Sequence, residues 1–139
     1  MTRDPWLDYS TSDLLMAYSK DPIAKYAMEV FDISQTQSNT VCGDEVTVYL
    51  KIKKWKIVER SRDGSIEMQT TAAASMLWEV IQWEDIQTIL TRDYQYIKHL
   101  WLELSPRRRR SGVTALLATR NAIHQWLGDN VIEGYEDLL

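Results

Sequence analysis

Hydrophobic and polar positions alternate most cleanly over residues 45–53. Val46, Val48, Leu50 and Ile52 fall on one side, and Glu45, Thr47, Tyr49, Lys51 and Lys53 on the other. A period of two predicts a strand with one face on a core and the other in water. Lys54-Trp55 then reads as a tight connection, and residues 56–62, which include Ile57 and Val58, as the returning arm of a hairpin closed by Asp63-Gly64. Upstream, Met28, Val30, Phe31 and Ile33 predict a first strand over residues 26–34, and the polar run 35–40 reads as a loop leading into the hairpin.

After the hairpin the period becomes helical. Ala72, Ala73, Met76, Leu77, Val80 and Ile81 form one apolar stripe within residues 67–83, and small side chains on it let the helix sit close to a sheet. Residues 83–90 and 93–102 predict two shorter helices split at Thr91, and Ser105-Pro106 breaks the chain again. A last amphipathic helix over residues 111–127 turns Val113, Leu116, Leu117, Ile123 and Leu127 inward and stops at Gly128. Residues 12–19 predict an opening helix, with Leu14, Leu15 and Tyr18 on one face and Asp21-Pro22 ending it. The pattern is α+β: a small antiparallel three-stranded sheet with helices packed on one face. We read residues 1–139 as one domain whose acidic tail, 129–139, is either loose or docked as a short helix.

Composition narrows the function more than the fold. With 45% hydrophobic and 26% charged residues, the chain has the balance of an ordinary globular protein. Its net charge of −4 argues against general nucleic-acid binding, which needs a basic surface. A single cysteine rules out an internal disulfide framework and fits a reducing compartment. No basic region followed by an apolar run opens the chain, and no apolar run is long enough to span a bilayer. The expectation is a soluble intracellular protein, cytoplasmic or in a mitochondrial matrix, without a membrane partner. The five glycines are scattered and build no phosphate loop.

The candidate chemistry begins at Cys42-Gly43-Asp44. Side chains two apart on a strand lie on the same side, so a thiolate and a carboxylate converge there as the start of a metal site. Two ligands do not hold a metal tightly, and a lone cysteine is often only a small buried hydrophobe. His99 and His124 stand at no metal-ligand spacing and read as packed or exposed. Glu84 and Asp85, adjacent near a helix start, suit the helix dipole better than paired-carboxylate catalysis. Ser111-Gly112 opens a helix after the run Arg107 to Arg110, itself read as a solvated basic loop unless it borders a site.

Cys42-Gly43-Asp44 opening a long strand, a short hairpin, Ala72-Ala73-Ala74-Ser75 on a helix and Leu102-Glu103-Leu104-Ser105-Pro106 before basic residues and a last helix resemble the IscU/NifU/SufU-type iron–sulfur cluster assembly scaffolds. Family members carry three cysteines and an aspartate that hold a [2Fe–2S] cluster or zinc. The resemblance matches Cys42 and Asp44 to the first cysteine and the aspartate. Met68, beside Glu67, stands where the second cysteine belongs, and Ser111 where the third does. Arg110 falls where a histidine or lysine often precedes that cysteine. Leu104-Ser105-Pro106-Arg107-Arg108, with Arg109 after it, occupies the place of a chaperone-recruiting segment.

The resemblance thus implies a divergent, non-enzymatic assembly scaffold that binds metal at Cys42, Asp44, Glu67 and Ser111 or accepts sulfur at Cys42. Met68 and Arg110 would surround that site, Arg110 and the helix start favouring the thiolate. The implied cargo is zinc, iron(II) or a labile [2Fe–2S] cluster, the alternative being none. The implied partners are a cysteine desulfurase, an Hsp70-type chaperone and other assembly proteins, engaged in part through Leu104, Ser105, Pro106, Arg107, Arg108 and Arg109. The alternative is a scaffold fold kept as an interaction subunit of a larger complex, using the arginine run and exposed tryptophans, with Trp6, Trp55, Trp83, Trp101 and Trp126 as candidates.

Overall fold

The computed structural model describes residues 26–39, 43–64, 68–99 and 109–139. The predicted helix over residues 12–19 with its Asp21-Pro22 stop, Trp6, Trp101 and the Ser105-Pro106 break lie outside the described residues.

Three antiparallel strands, β1 (Ile33–Asn39), β2 (Asp44–Lys53) and β3 (Lys56–Asp63), form a sheet in the order β1-β2-β3. The alternation in β2 is realised as predicted: Val46, Val48, Leu50 and Ile52 are all buried. The β2–β3 connection is a two-residue turn with Lys54 and Trp55 both at positive φ, 52° and 67°. A bulge between Lys51 and Ile52 shifts the β2–β3 register, and the carbonyl of Val58 there accepts from Gln82 Nε2 at 3.1 Å.

The first strand corrects the sequence expectation. It lies over Ile33–Asn39, sharing only residues 33–34 with the predicted strand and otherwise the run read as a loop, whereas residues 26–32 form no strand. Ile-Ser-Gln-Thr-Gln-Ser-Asn carries almost no apolar signal because β1 bonds to only one described strand. Its stability comes from pairing with β2, as in Thr36 against Thr47, and from α4 behind it.

Four helices follow: α1 (Met68–Ile81), α2 (Ile86–Ile89), α3 (Tyr94–His99) and α4 (Arg109–Leu127). Helix α1 runs antiparallel to β3, as Arg62 Nη2 donates to Ser75 Oγ at 2.8 Å and Arg60 Nε to the Trp78 carbonyl at 2.8 Å. Its inner face is Ala74, Ser75, Leu77, Trp78 and Ile81; Val80, expected on that face, is exposed. The Asp85 carboxylate caps α2 by accepting from Gln87 N–H at 2.8 Å, and Glu84 pairs with Arg92 at 2.8 Å.

Helix α4 is the organising element, packed on β1, β2 and α1, with Val113, Leu116, Leu117 and Ile123 fully buried. Gly128, at φ 70°, ends it by donating to the His124 carbonyl at 2.9 Å. The acidic tail is docked rather than loose. A 3-10 turn, Tyr135–Asp137, buries Tyr135 and Leu138, and the Leu138 carbonyl accepts from Tyr94 N–H at 2.9 Å. Among the described residues no helix is long and apolar enough to cross a membrane.

Candidate functional site

The hairpin joining β1 to β2 is closed by Asn39 opposite Asp44, and Gly43 N–H donates to the Asn39 carbonyl at 2.8 Å. Gly43 takes φ 76°, a left-handed conformation that a glycine adopts without penalty, although a Cβ there would meet nothing within 4 Å. Cys42 belongs to this connection and lies outside the described residues, as does Glu67. Asp44 is placed as the first residue of β2, and Met68 as the first of α1.

Gly64 brings the second segment to the same end of the sheet. A Cβ on it would lie 2.0 Å from the Glu45 carbonyl oxygen and 3.1 Å from the Val46 Cα. The chain leaving β3 for Met68 therefore starts in backbone contact with the residue that follows Asp44.

The first turn of α4 arrives there as well. Thr114 Oγ1 lies 2.8 Å from the Arg110 carbonyl and 3.1 Å from Tyr135 Oη, which in turn lies 3.3 Å from the carbonyl of Ser38, just before Asn39. Two hydroxyl protons serve these three contacts, so any two are made at once. Ser111 is buried in that turn. Arg110 is exposed, its guanidinium stacked 4.9 Å from the Tyr135 ring centroid, and Arg109 lies 4.9 Å from that of Tyr94. Leu104, Ser105, Pro106, Arg107 and Arg108 lie outside the described residues.

Two polar side chains at this end have no counterpart in the sequence reading. Asn39 is only 1% exposed, yet its Oδ1 and Nδ2 have no hydrogen-bond partner among the described residues. Such a group costs free energy unless something satisfies it. Its signal was its place three residues before Cys42, obscured because the surrounding polar run resembled a loop. Arg62, also 1% exposed, bonds Ser75 but leaves Nε without a partner. Burial pushes its guanidinium down to about 10.

Among the described residues, no three His, Cys, Asp or Glu side chains come together to hold a metal. His124 is instead held between carboxylates, Nδ1 2.7 Å from Asp129 Oδ2 and Nε2 2.9 Å from Glu133 Oε2. Glu133 also pairs with Arg120.

A family model for the NifU-like N terminal domain matches residues 10–132. No curated protein matches the chain. Among solved structures, the chain is similar to one described as a candidate iron–sulfur cluster assembly scaffold protein for the SUF system from Fervidobacterium islandicum AW-1, with a TM-score of 0.72 at 20% identity, covering 83% of this chain and 96% of that one. It is also similar to the N-terminal part of a nitrogen-fixing NifU-like protein from Brucella abortus, with a TM-score of 0.68 at 14% identity over 88% of this chain and 100% of that one. At such identities the two structures establish the fold.

Proposed function

The chain belongs to the NifU-like N-terminal domain family, and we propose that it serves iron–sulfur cluster assembly as a divergent scaffold taking metal or sulfur at Cys42 and Asp44. It is a carrier of cargo and not an enzyme. The observation that carries the reading is Asn39, a buried amide with both polar atoms unpartnered among the described residues, opposite Asp44 and three residues ahead of Cys42. A binding loop explains that cost better than packing does, because an apolar residue would fill the same volume without it.

The donor set decides which cargo suits the site. One thiolate, the carboxylates of Asp44 and Glu67 and the hydroxyl of Ser111 match iron(II) or zinc with water completing the shell. A [2Fe–2S] cluster normally takes four ligands, mostly thiolates, and Met68 would offer only a neutral thioether. A labile cluster would need thiols from outside the chain.

Sulfur acceptance needs only Cys42. Its thiolate attacks the outer sulfur of a donor persulfide; a new S–S bond forms on Cys42, the donor's S–S bond breaks, and the donor leaves as a thiolate. No net oxidation or reduction occurs. The start of α4 and Arg110 supply positive charge that favours the thiolate and the persulfide anion. The matching partner is a cysteine desulfurase, with an Hsp70-type chaperone at residues 104–109.

The test is mass spectrometry of the chain after incubation with a persulfide donor. The expected result is a gain of one sulfur atom on the wild type and none on Cys42→Ser. An unlabelled wild type would end the sulfur-acceptor reading.

A further inference from the structure

At the far end of β2 from Asp44, roughly 30 Å away for a strand of this length, two tryptophans are held largely exposed on left-handed backbone. Trp55 is second in the β2–β3 turn at φ 67°, after Lys54 at φ 52°. That turn geometry favours Asn-Gly, and a bulky residue in it is strained. Trp55 nevertheless stays 55% exposed, with its ring edge-on to Trp126 at 5.6 Å. Trp83, between α1 and α2, repeats the combination: φ 71° and 62% exposed. Backbone bonds put both on one rim, since Ile86 N–H donates to the Trp55 carbonyl at 2.8 Å and Trp83 N–H to the Ile57 carbonyl at 2.6 Å. Strain is retained where the surroundings enforce it, commonly at binding surfaces.

The charge on this rim is predominantly positive, with Asp85 bridged opposite Lys56 as its unpaired carboxylate among the described residues. Lys53, Lys54 and Lys56 are exposed, and no described carboxylate pairs with them, whereas Lys51 pairs with Glu59 at 3.2 Å. Of the two nearby acids, Glu84 is paired with Arg92, while Asp85 caps α2 and offsets one of the three lysine charges. In a chain of net charge −4, the rim is a cationic island around two exposed indoles.

We propose that this rim docks an acidic polypeptide segment of a partner protein, its carboxylates meeting Lys53, Lys54 and Lys56 and an aromatic or apolar anchor seated against Trp55 and Trp83. A protein segment fits better than nucleic acid. Three lysines on one turn make no continuous track for phosphates, and the acidic remainder of the chain repels a polyanion that extends past them. Aromatic anchors ringed by complementary charge are the usual centre of a protein interface. The proposal is independent of any chemistry at Cys42.

The experiment is fluorescence anisotropy of labelled poly(Glu,Tyr) titrated with the full chain, beside labelled poly-glutamate and oligo(dT). Lys54→Glu/Lys56→Glu and Trp55→Gly are the variants, each checked for folding by far-UV circular dichroism. Poly(Glu,Tyr) should bind tightest and weaken with salt, and the double lysine variant should lose about 10-fold or more in affinity. Trp55→Gly should also lose binding while staying folded, because glycine takes that backbone conformation freely. Absence of poly(Glu,Tyr) binding, equal binding of poly-glutamate, unchanged affinity in the variants, or tighter binding of oligo(dT) would each overturn the proposal.

Discussion

Tyr135 and Ser38, 97 positions apart, meet through the tyrosine hydroxyl and the serine carbonyl at 3.3 Å. This contact fastens the docked tail to the strand that enters the Cys42 hairpin, and Thr114 shares the same hydroxyl from the first turns of α4.

Tyr135→Phe removes that hydroxyl and keeps the ring. It should cost about 1 kcal/mol, the ordinary net worth of a hydrogen bond. Tyr135→Ala also deletes a buried ring under Arg110 and should cost about 3 kcal/mol or more. Urea denaturation of both variants checks the two steps: no loss in Tyr135→Phe would mean that the hydroxyl carries none of the stability, and equal losses that the ring adds nothing to it.

Gly64 and Gly43 separate steric need from conformational need. Gly64→Ala drives a Cβ into the Glu45 carbonyl at φ 135° and should destabilise by about 3 kcal/mol or more. Gly43→Ala meets open space and pays only for its left-handed backbone, about 1 kcal/mol. Melting temperatures of the two variants should fall in that order.

Arg62 is a buried cation held by a serine hydroxyl rather than a carboxylate. Burial lowers its pKa to about 10 in the folded chain, below the unfolded value, so the unfolded chain binds more protons between the two. The penalty is therefore present in full below pH 10 and is relieved as pH rises above it. Arg62→Met removes the buried charge and should raise stability at neutral pH by about 1–3 kcal/mol, measured by urea denaturation. A loss of stability would show that the hydrogen bond to Ser75 outweighs desolvation.

Asp129 gives a pH signature of the tail. The hydrogen bond from His124, followed by one from Val131 N–H, holds its carboxyl below the ordinary 3.8. A depressed folded pKa means that the contact contributes above the unfolded value and is lost as pH falls through the folded one. NMR titration should place the Asp129 midpoint below 3.8 in the wild type and nearer the ordinary value in His124→Leu.

The core was legible in the sequence where one side of an element faces water. β2 alternates because one face is buried, and α4 shows its inward stripe and its glycine stop for the same reason. β1 was not legible, because backbone pairing with β2 holds a sequence of small polar residues. Trp78 was overlooked on α1 since a stripe drawn through the alanines and Val80 misplaces the buried face by part of a turn. At the site, Cys42-Gly43-Asp44 announces itself by residue type. Asn39 does not, because its importance lies in being buried without a partner, which no local pattern records.

The most direct test of the scaffold reading is metal and acid-labile sulfide analysis of anaerobically purified protein, wild type beside Cys42→Ser and Asn39→Leu. The account predicts iron or zinc near stoichiometry in the wild type, little in Cys42→Ser, and a reduced load in an Asn39→Leu protein that is about 1–2 kcal/mol more stable. The same metal content in wild type and Cys42→Ser, or none in either, would contradict it.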